Sequence, residues 1–206
     1  MSKAVGLASL KAKHHCASKR SKYVIKDIPM FSRCTLATLF GAVLIAGTAM
    51  AEPVEIYLTD MLDNTQNGYC LDIARAQGAQ ANPDDGLQGH TCYSPLGELM
   101  VDQIFDSTKF ADGQLYMPEF DVCALALSSE TGSTIDLAAC DGSAAQGFVF
   151  SGNGTITPAS APDMCLTVAE DTRSGRSDAN QIKALTLEPC DASKAAYQTW
   201  STRTAS

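Results

Sequence analysis

The chain has 206 residues, 45% of them hydrophobic, enough for one domain or a domain with a tail. Residues 1–51 hold eight of the fifteen lysines and arginines and a single acid, Asp27, so the remainder has seven basic and twenty-two acidic residues, a net charge of −15. Such a body repels nucleic acid and anionic membrane. Its acids are scattered, which serves solubility rather than an acidic tail.

The N-terminal region accounts for the asymmetry. Lys19, Arg20, Lys22, Lys26 and Arg33 precede an apolar run from Leu36 to Ala46, and small residues follow, ending Ala49-Met50-Ala51. This is the build of a secretory signal peptide cleaved after Ala51. The basic part is long, and a start at Met30 would give a signal of ordinary length. An uncleaved anchor is the alternative. The apolar run is at the short end of the ~17–25 residues a bilayer requires, and the A-x-A ending favours cleavage. The expectation is therefore a leader over 1–51, a single domain over 52–206, a secreted or periplasmic product, and no stable membrane span after cleavage.

The elements beyond the leader are short. From Glu52 to Asp60 the residues alternate loosely (Val54, Ile56, Leu58), as a strand does. Asn64 to Gly68 forms a turn, and Tyr69-Cys70-Leu71-Asp72-Ile73 the next strand. Ala74 to Gly86 has loop composition, and Leu87 to Tyr93 is a short strand. Ser94 to Val101 is an insertion with Pro95 and Gly97 that could form one helical turn. Asp112-Gly113 and Asn153-Gly154 are hairpin signals placed ahead of two further strand pairs. Sustained helical periodicity is absent outside the leader. Short, evenly spaced strands in an exported chain predict a barrel or sandwich.

These elements form one unit repeated three times. Cys70-Leu71-Asp72-Ile73 leads to Cys92 and Gln103-Ile104-Phe105. Cys123-Ala124-Leu125-Ala126 leads to Cys140 and Gln146-Gly147-Phe148. Cys165-Leu166-Thr167-Val168 leads through a polar, Gly-containing loop to Leu185 and Cys190 and then Gln198-Thr199-Trp200. Threefold repetition points to a threefold barrel. Cleavage of the leader removes Cys16 and Cys34 and leaves six cysteines, all within the repeats. An even set in an exported protein reads as disulfides. The pairing that treats the units alike is Cys70–Cys92, Cys123–Cys140 and Cys165–Cys190. Each bridge would contribute roughly 3 kcal/mol in the chain-entropy model. Zinc is the rival, but C-x-x-C is absent and His90 is the one histidine beyond the leader. Phe105, Phe148 and Trp200 are expected to point inward. The glutamines two residues earlier share a strand face with them and are placed to bond the backbone of their own unit.

C-L-D-I…C…Q-I-F, C-A-L-A…C…Q-G-F and C-L-T-V…C…Q-T-W, with the two hairpin signals, resemble the ricin-type (R-type) lectin family over about residue 54 to the C-terminus. The resemblance implies an all-β chain folded as a β-trefoil. It also implies a shallow sugar pocket in any unit that keeps four features. These are an Asp two residues after the first cysteine, a Gln four and an aromatic two residues before the second, and an Asn or Asp preceding the Gln-x-aromatic glutamine. A carboxylate facing an aromatic ring reads both the paired hydroxyls and the C–H face of a pyranose. The first unit keeps the set, with Asp72, Gln88, Asp102 and Gln103 and with His90 in the stacking position. In the second unit Leu125, Ala138 and Ala145 replace it, and in the third Thr167, Glu188 and Tyr197 do.

Each residue also has an ordinary structural reading. Asp72 could bond its own loop, and His90 could be an exposed strand histidine. Their joint occurrence with Gln88 and Asp102 in one unit favours a lectin for galactose-type sugars, with glycans or glycoconjugates as partners. One shallow site binds weakly, so homo-oligomerisation for avidity is expected. The alternative is a non-lectin trefoil that binds a protein partner or inhibits it through surface loops, with Leu96, Leu99, Met100 and Val101 as an apolar patch. Catalysis is not expected, because the three units consume the chain and G-x-S-x-G is missing. No cofactor and no metal is called for, since the acidic turns lack calcium-loop spacing.

Overall fold

The structure is a computed structural model describing residues 53–75, 78–94 and 101–204. The leader expected over 1–51 and residues 95–100 of the insertion lie outside the described residues. In the first unit the strands are β1 (Pro53–Leu58), β2 (Tyr69–Ile73), β3 (Leu87–Thr91) and β4 (Ile104–Asp106). The second unit has β5 (Tyr116–Met117), β6 (Val122–Leu125), β7 (Asp136–Ala139) and β8 (Phe148–Val149). The third has β9 (Asn153–Gly154), β10 (Thr157–Pro158), β11 (Met164–Val168), β12 (Arg173–Ser174), β13 (Gln181–Lys183), β14 (Leu185–Pro189) and β15 (Trp200–Thr204). A single helical turn, α1 (Ala195–Gln198), leads into β15.

The first and last strands join. β1 pairs antiparallel with β15 from Val54↔Thr204 to Leu58↔Trp200, and its other edge pairs with β4. Val54, Ile56 and Leu58 point into the core as their alternation requires. The polar interruption between them, Glu55, is also buried because it meets Arg203 across the strand pair, Nε to Oε2 2.7 Å. Within each unit the two middle strands form a hairpin: β2 with β3, β6 with β7, β11 with β14.

Each hairpin is closed by one disulfide, Cys70–Cys92, Cys123–Cys140 and Cys165–Cys190, with Cα–Cα distances of 4.9, 5.1 and 5.0 Å. This is the pairing the repeat implied. Phe105, Phe148 and Trp200 are all buried in one core, where Trp200 Nε1 donates to Leu166 O. The glutamines act as clamps in their own units. The side-chain Oε1 of Gln103, Gln146 and Gln198 accepts from the backbone N–H of Tyr93, Asp141 and Asp191, the residue after each second cysteine. Their Nε2 groups donate to the carbonyls of Thr91, Ala139 and Pro189.

Two features depart from the expectation. Asn153-Gly154 does not form a hairpin tip. It pairs with Ser201 and Trp200 of β15, and the left-handed turn falls at Gly152 (φ 90°), where a Cβ would lie 3.3 Å from Thr202 Oγ1. The polar stretch after β11 is not a plain loop either. It folds into the β12–β13 hairpin, which leaves its own unit and pairs with β3 through Ile182↔His90 and Lys183↔Gly89. The crossing needs glycine at position 89, because a Cβ there would sit 2.9 Å from Val168 Cγ1. The third unit thereby builds a wall beside the first.

Candidate functional site

Against that wall lies a cleft of about 490 Å³ whose lining includes Arg75, Gln88, His90, Tyr93, Asp102 and Asn180. Gln88 and His90 come from β3, and Asp102 from the residues before β4. Tyr93 follows Cys92, and Arg176 and Asn180 stand on the β12–β13 hairpin. The structure therefore brings Gln88, His90 and Asp102 to one surface.

Asp72 and Gln103, placed in the same set by the sequence, lie beneath that surface and are fully buried. Asp72 Oδ1 accepts from Gln88 Nε2 at 3.0 Å, and Oδ2 accepts from Gln103 Nε2 at 2.8 Å. Asp72 thus holds Gln88 in place from below. In the third unit Thr167 stands at the same position and takes the corresponding bond from Gln198, 2.9 Å. Burial pushes the Asp72 carboxyl well above its ordinary value, the Asp102 charge adds to this, and the two amide donors oppose it. Burial also raises Asp102, against the Gly78 N–H that donates to its Oδ2 at 2.9 Å. The other oxygen, Asp102 Oδ1, is buried and has no partner among the described residues.

His90 is not an open stacking platform. Only 6% exposed, it packs against the Tyr93 ring with centroids 4.8 Å apart. Burial lowers its pKa, the Arg173 charge lowers it further, and the Thr91 carbonyl opposes. The ring is therefore neutral at pH 7. Thr91 O can only accept, so Nδ1 (3.0 Å away) carries the proton and Nε2 is an acceptor. The Tyr93 hydroxyl lies 3.2 Å from His90 Nε2 and 3.2 Å from Asn180 Oδ1, one proton for two acceptors. Burial, with the charges of Asp72 and Asp102, pushes Tyr93 up to about 12, so it stays a donor.

The cleft floor thus holds more acceptors than donors. Among the described residues Asp102 Oδ1 has no partner, and either His90 Nε2 or Asn180 Oδ1 goes without the tyrosine proton. A surplus of fixed acceptors matches a ligand rich in hydroxyl groups. Tyr93, half-buried, is the aromatic face this site offers. Its sequence signal was an aromatic where the other two units have aspartate (Asp141, Asp191). The hairpin contributions of Arg173, Arg176 and Asn180 carried no such signal, because they come from another repeat. Among the described residues no three His, Cys, Asp or Glu side chains are grouped to hold a metal ion.

Three strand units in pseudo-threefold repetition, each stapled by a disulfide, define a β-trefoil, here with a polar cleft on the first unit. The family model described as ricin-type beta-trefoil lectin domain matches residues 58–175 and 111–206, and the chain belongs to that family. Solved structures share the fold at low identity. The mdaA-1 domain is 15% identical over 75% of this chain and 91% of its own, TM-score 0.53. The designed three-fold symmetric protein ThreeFoil is 11% identical over 73% and 96%, TM-score 0.50. The earthworm R-type lectin C-half, solved with GalNAc, is 20% identical over 74% and 98%, TM-score 0.46. No curated protein sequence matches the chain.

Proposed function

We propose that this protein is an exported lectin that binds one saccharide in the cleft between the first unit and the β12–β13 hairpin. Membership of the ricin-type family supports carbohydrate binding in general. The observation that carries the assignment to this cleft is Asp102 Oδ1, a buried carboxylate oxygen without a partner among the described residues, beside Gln88 and His90. A sugar hydroxyl donating there would satisfy an atom whose burial otherwise costs ~1–3 kcal/mol. Tyr93 supplies the apolar face, with the buried His90 ring packed against it, and Asp72, itself held by Gln103, positions Gln88 from below. Because Gln88, His90 and Asp102 share one cleft, sugar binding is favoured over a protein-binding trefoil, which would not need them convergent. Galactose-type sugars are the first to test. Export is supported by the six paired cysteines, which persist in oxidising compartments.

The test is binding of the disulfide-bonded protein to immobilised glycans, galactosides included, beside Asp102→Ala and His90→Ala. Loss of the charged acceptor should weaken binding about tenfold or more, with the melting transition retained. A folded protein that binds no densely displayed glycan would overturn the proposal. So would binding indifferent to both substitutions.

A further inference from the structure

The cleft is also where this acidic protein concentrates its cations. Between residues 52 and 206 there are seven basic residues against twenty-two acids. Two are committed to the fold: Lys183 to Asp63 at 3.3 Å and Arg203 to Glu55 at 2.7 Å. Of the other five, three are arginines at this cleft. Arg75 and Arg176 line it, and Arg173 donates to Gln88 Oε1 at 3.2 Å. They reach it from two repeats, Arg75 from the turn after β2 and the others from the β12–β13 hairpin. Their guanidinium groups are weakly neutralised. Arg75, with its side chain 82% exposed, meets Asp85 at 3.5 Å, and neither Arg173 nor Arg176 is in an ion pair among the described residues. Asp178, on the same hairpin, lines a different cleft with Asp63 and Asn64.

The rim therefore differs from the floor. The floor offers acceptors to hydroxyls. The rim offers planar, permanently charged donors, the geometry that pairs with carboxylate or sulfate through parallel hydrogen bonds. A body with a net charge of −15 repels anions at long range. An anionic ligand would need such a local reversal, and a neutral sugar would not. Building on the proposed sugar site, we infer that the cleft selects a glycan bearing an acidic substituent, a carboxylate or a sulfate ester. Its hydroxyls lie over Asp102 and its anion against Arg173 and Arg176.

The test uses three probes on one disaccharide core: neutral, extended by a carboxylate-bearing sugar, and sulfated. Each is titrated into the disulfide-bonded protein at low salt and at about 0.3 M salt, where surface charges are largely screened. The charged probes should bind at least about tenfold more tightly than the neutral one at low salt, and the advantage should shrink at high salt. Comparison of the two charged arms identifies the substituent. In an Arg173→Gln/Arg176→Gln double variant the ratio of charged to neutral affinity should fall to near one. In Asp102→Ala both affinities should drop together and the ratio should persist. Equal affinities for charged and neutral probes would overturn this inference and leave the sugar site standing. Charged-probe binding that ignores Asp102→Ala would also overturn it, by showing an anion held without the cleft. Failure of every probe would remove the sugar site and this inference together.

Discussion

Asp72 shows how one side chain serves both fold and site. Its two oxygens take one amide each, from Gln88 and Gln103, and it has no exposed surface. Replacing Asp72 with alanine takes the acceptor from the buried Gln88 amide and one of two acceptors from Gln103, which keeps the Thr91 carbonyl, so denaturant unfolding should show a loss of roughly 1–3 kcal/mol. An unchanged midpoint would mean the amides find other partners. The same burial sets a pH dependence. Asp72 and Asp102 have folded-state pKa values above their ordinary ones, so the folded protein binds the protons more tightly than the unfolded chain. Their contribution to stability is therefore fully present below the ordinary carboxylate value of 3.8 and is lost as pH rises through the folded values. Asp102→Asn removes one of these groups and its charge on the other. Unfolding curves between about pH 4 and pH 8 should then fall less steeply for the variant than for the wild type. Identical slopes would show that the pair does not titrate in this way. The presence of Asp72, Gln88, His90, Asp102 and Gln103 in one unit was legible from the cysteine register. Which of them face the cleft was not, because a two-residue period fixes the face of a strand and not the depth of what covers it.

At the scale of elements, the β12–β13 hairpin decides whether the cleft exists. It is tied to the first unit by a small polar node. Asp63 accepts from Tyr69 and Thr172, and the buried Lys183 ammonium sits 3.3 Å from Asp63, 2.8 Å from Glu170 O and over the Tyr69 ring. Thr91 Oγ1 adds a donation to Ala179 O and takes one from Gln181 N. Burial raises the Asp63 pKa, but the Thr172 and Tyr69 hydroxyls and the Lys183 ammonium outweigh it and hold the carboxyl at about 2. The sign is opposite to that of Asp72. This contribution is present above the ordinary carboxylate value of 3.8 and is lost as pH falls towards 2. Asp63→Ala should loosen the hairpin selectively. Amide exchange at Gln181 to Lys183 should accelerate at neutral pH while β6, β7 and the second disulfide loop keep their protection. Uniform acceleration would place Asp63 in the global core rather than at the hairpin. This element left little trace in the residue pattern. Ser174, Gly175, Ser177, Asp178 and Asn180 read as loop because they lack alternation. The hairpin they belong to is held because β3 presents its edge to Ile182 and Lys183 and Gly89 lets the chains approach, a contact between residues about ninety positions apart. The three disulfides and the glutamine clamps were legible because each is internal to one unit and recurs.

For the whole molecule, the unequal units set the valence. The second unit offers Leu125, Ala138 and Ala145 where the first has Asp72, His90 and Asp102, and none of these carries a side-chain acceptor. The third unit keeps a smaller cleft of about 220 Å³ at the equivalent place, lined by Thr167, Thr186, Glu188 and Tyr197 among others. Its floor is a threonine hydroxyl already bonded by Gln198, and Glu188 accepts from Thr186 at 3.1 Å, so the groups that stand where the first unit has Asp72 and His90 are already engaged. The hairpin that walls the first cleft also cannot serve another, since its one edge partner is β3. On the proposed reading, a chain with a single shallow site would be a weak, monovalent binder: millimolar affinity corresponds to only about 4 kcal/mol. Titration of a soluble saccharide should give one site per chain, and the protein as a monomer should bind a glycan surface without cross-linking glycan-coated particles. Tetravalent display of the same protein should raise surface avidity by a factor of about 10²–10⁴. Two or three sites per chain, or cross-linking by a demonstrated monomer, would show that the third-unit cleft binds despite its spent polar groups. The functional asymmetry would then lie in the β12–β13 hairpin rather than in the loss of the acceptor residues.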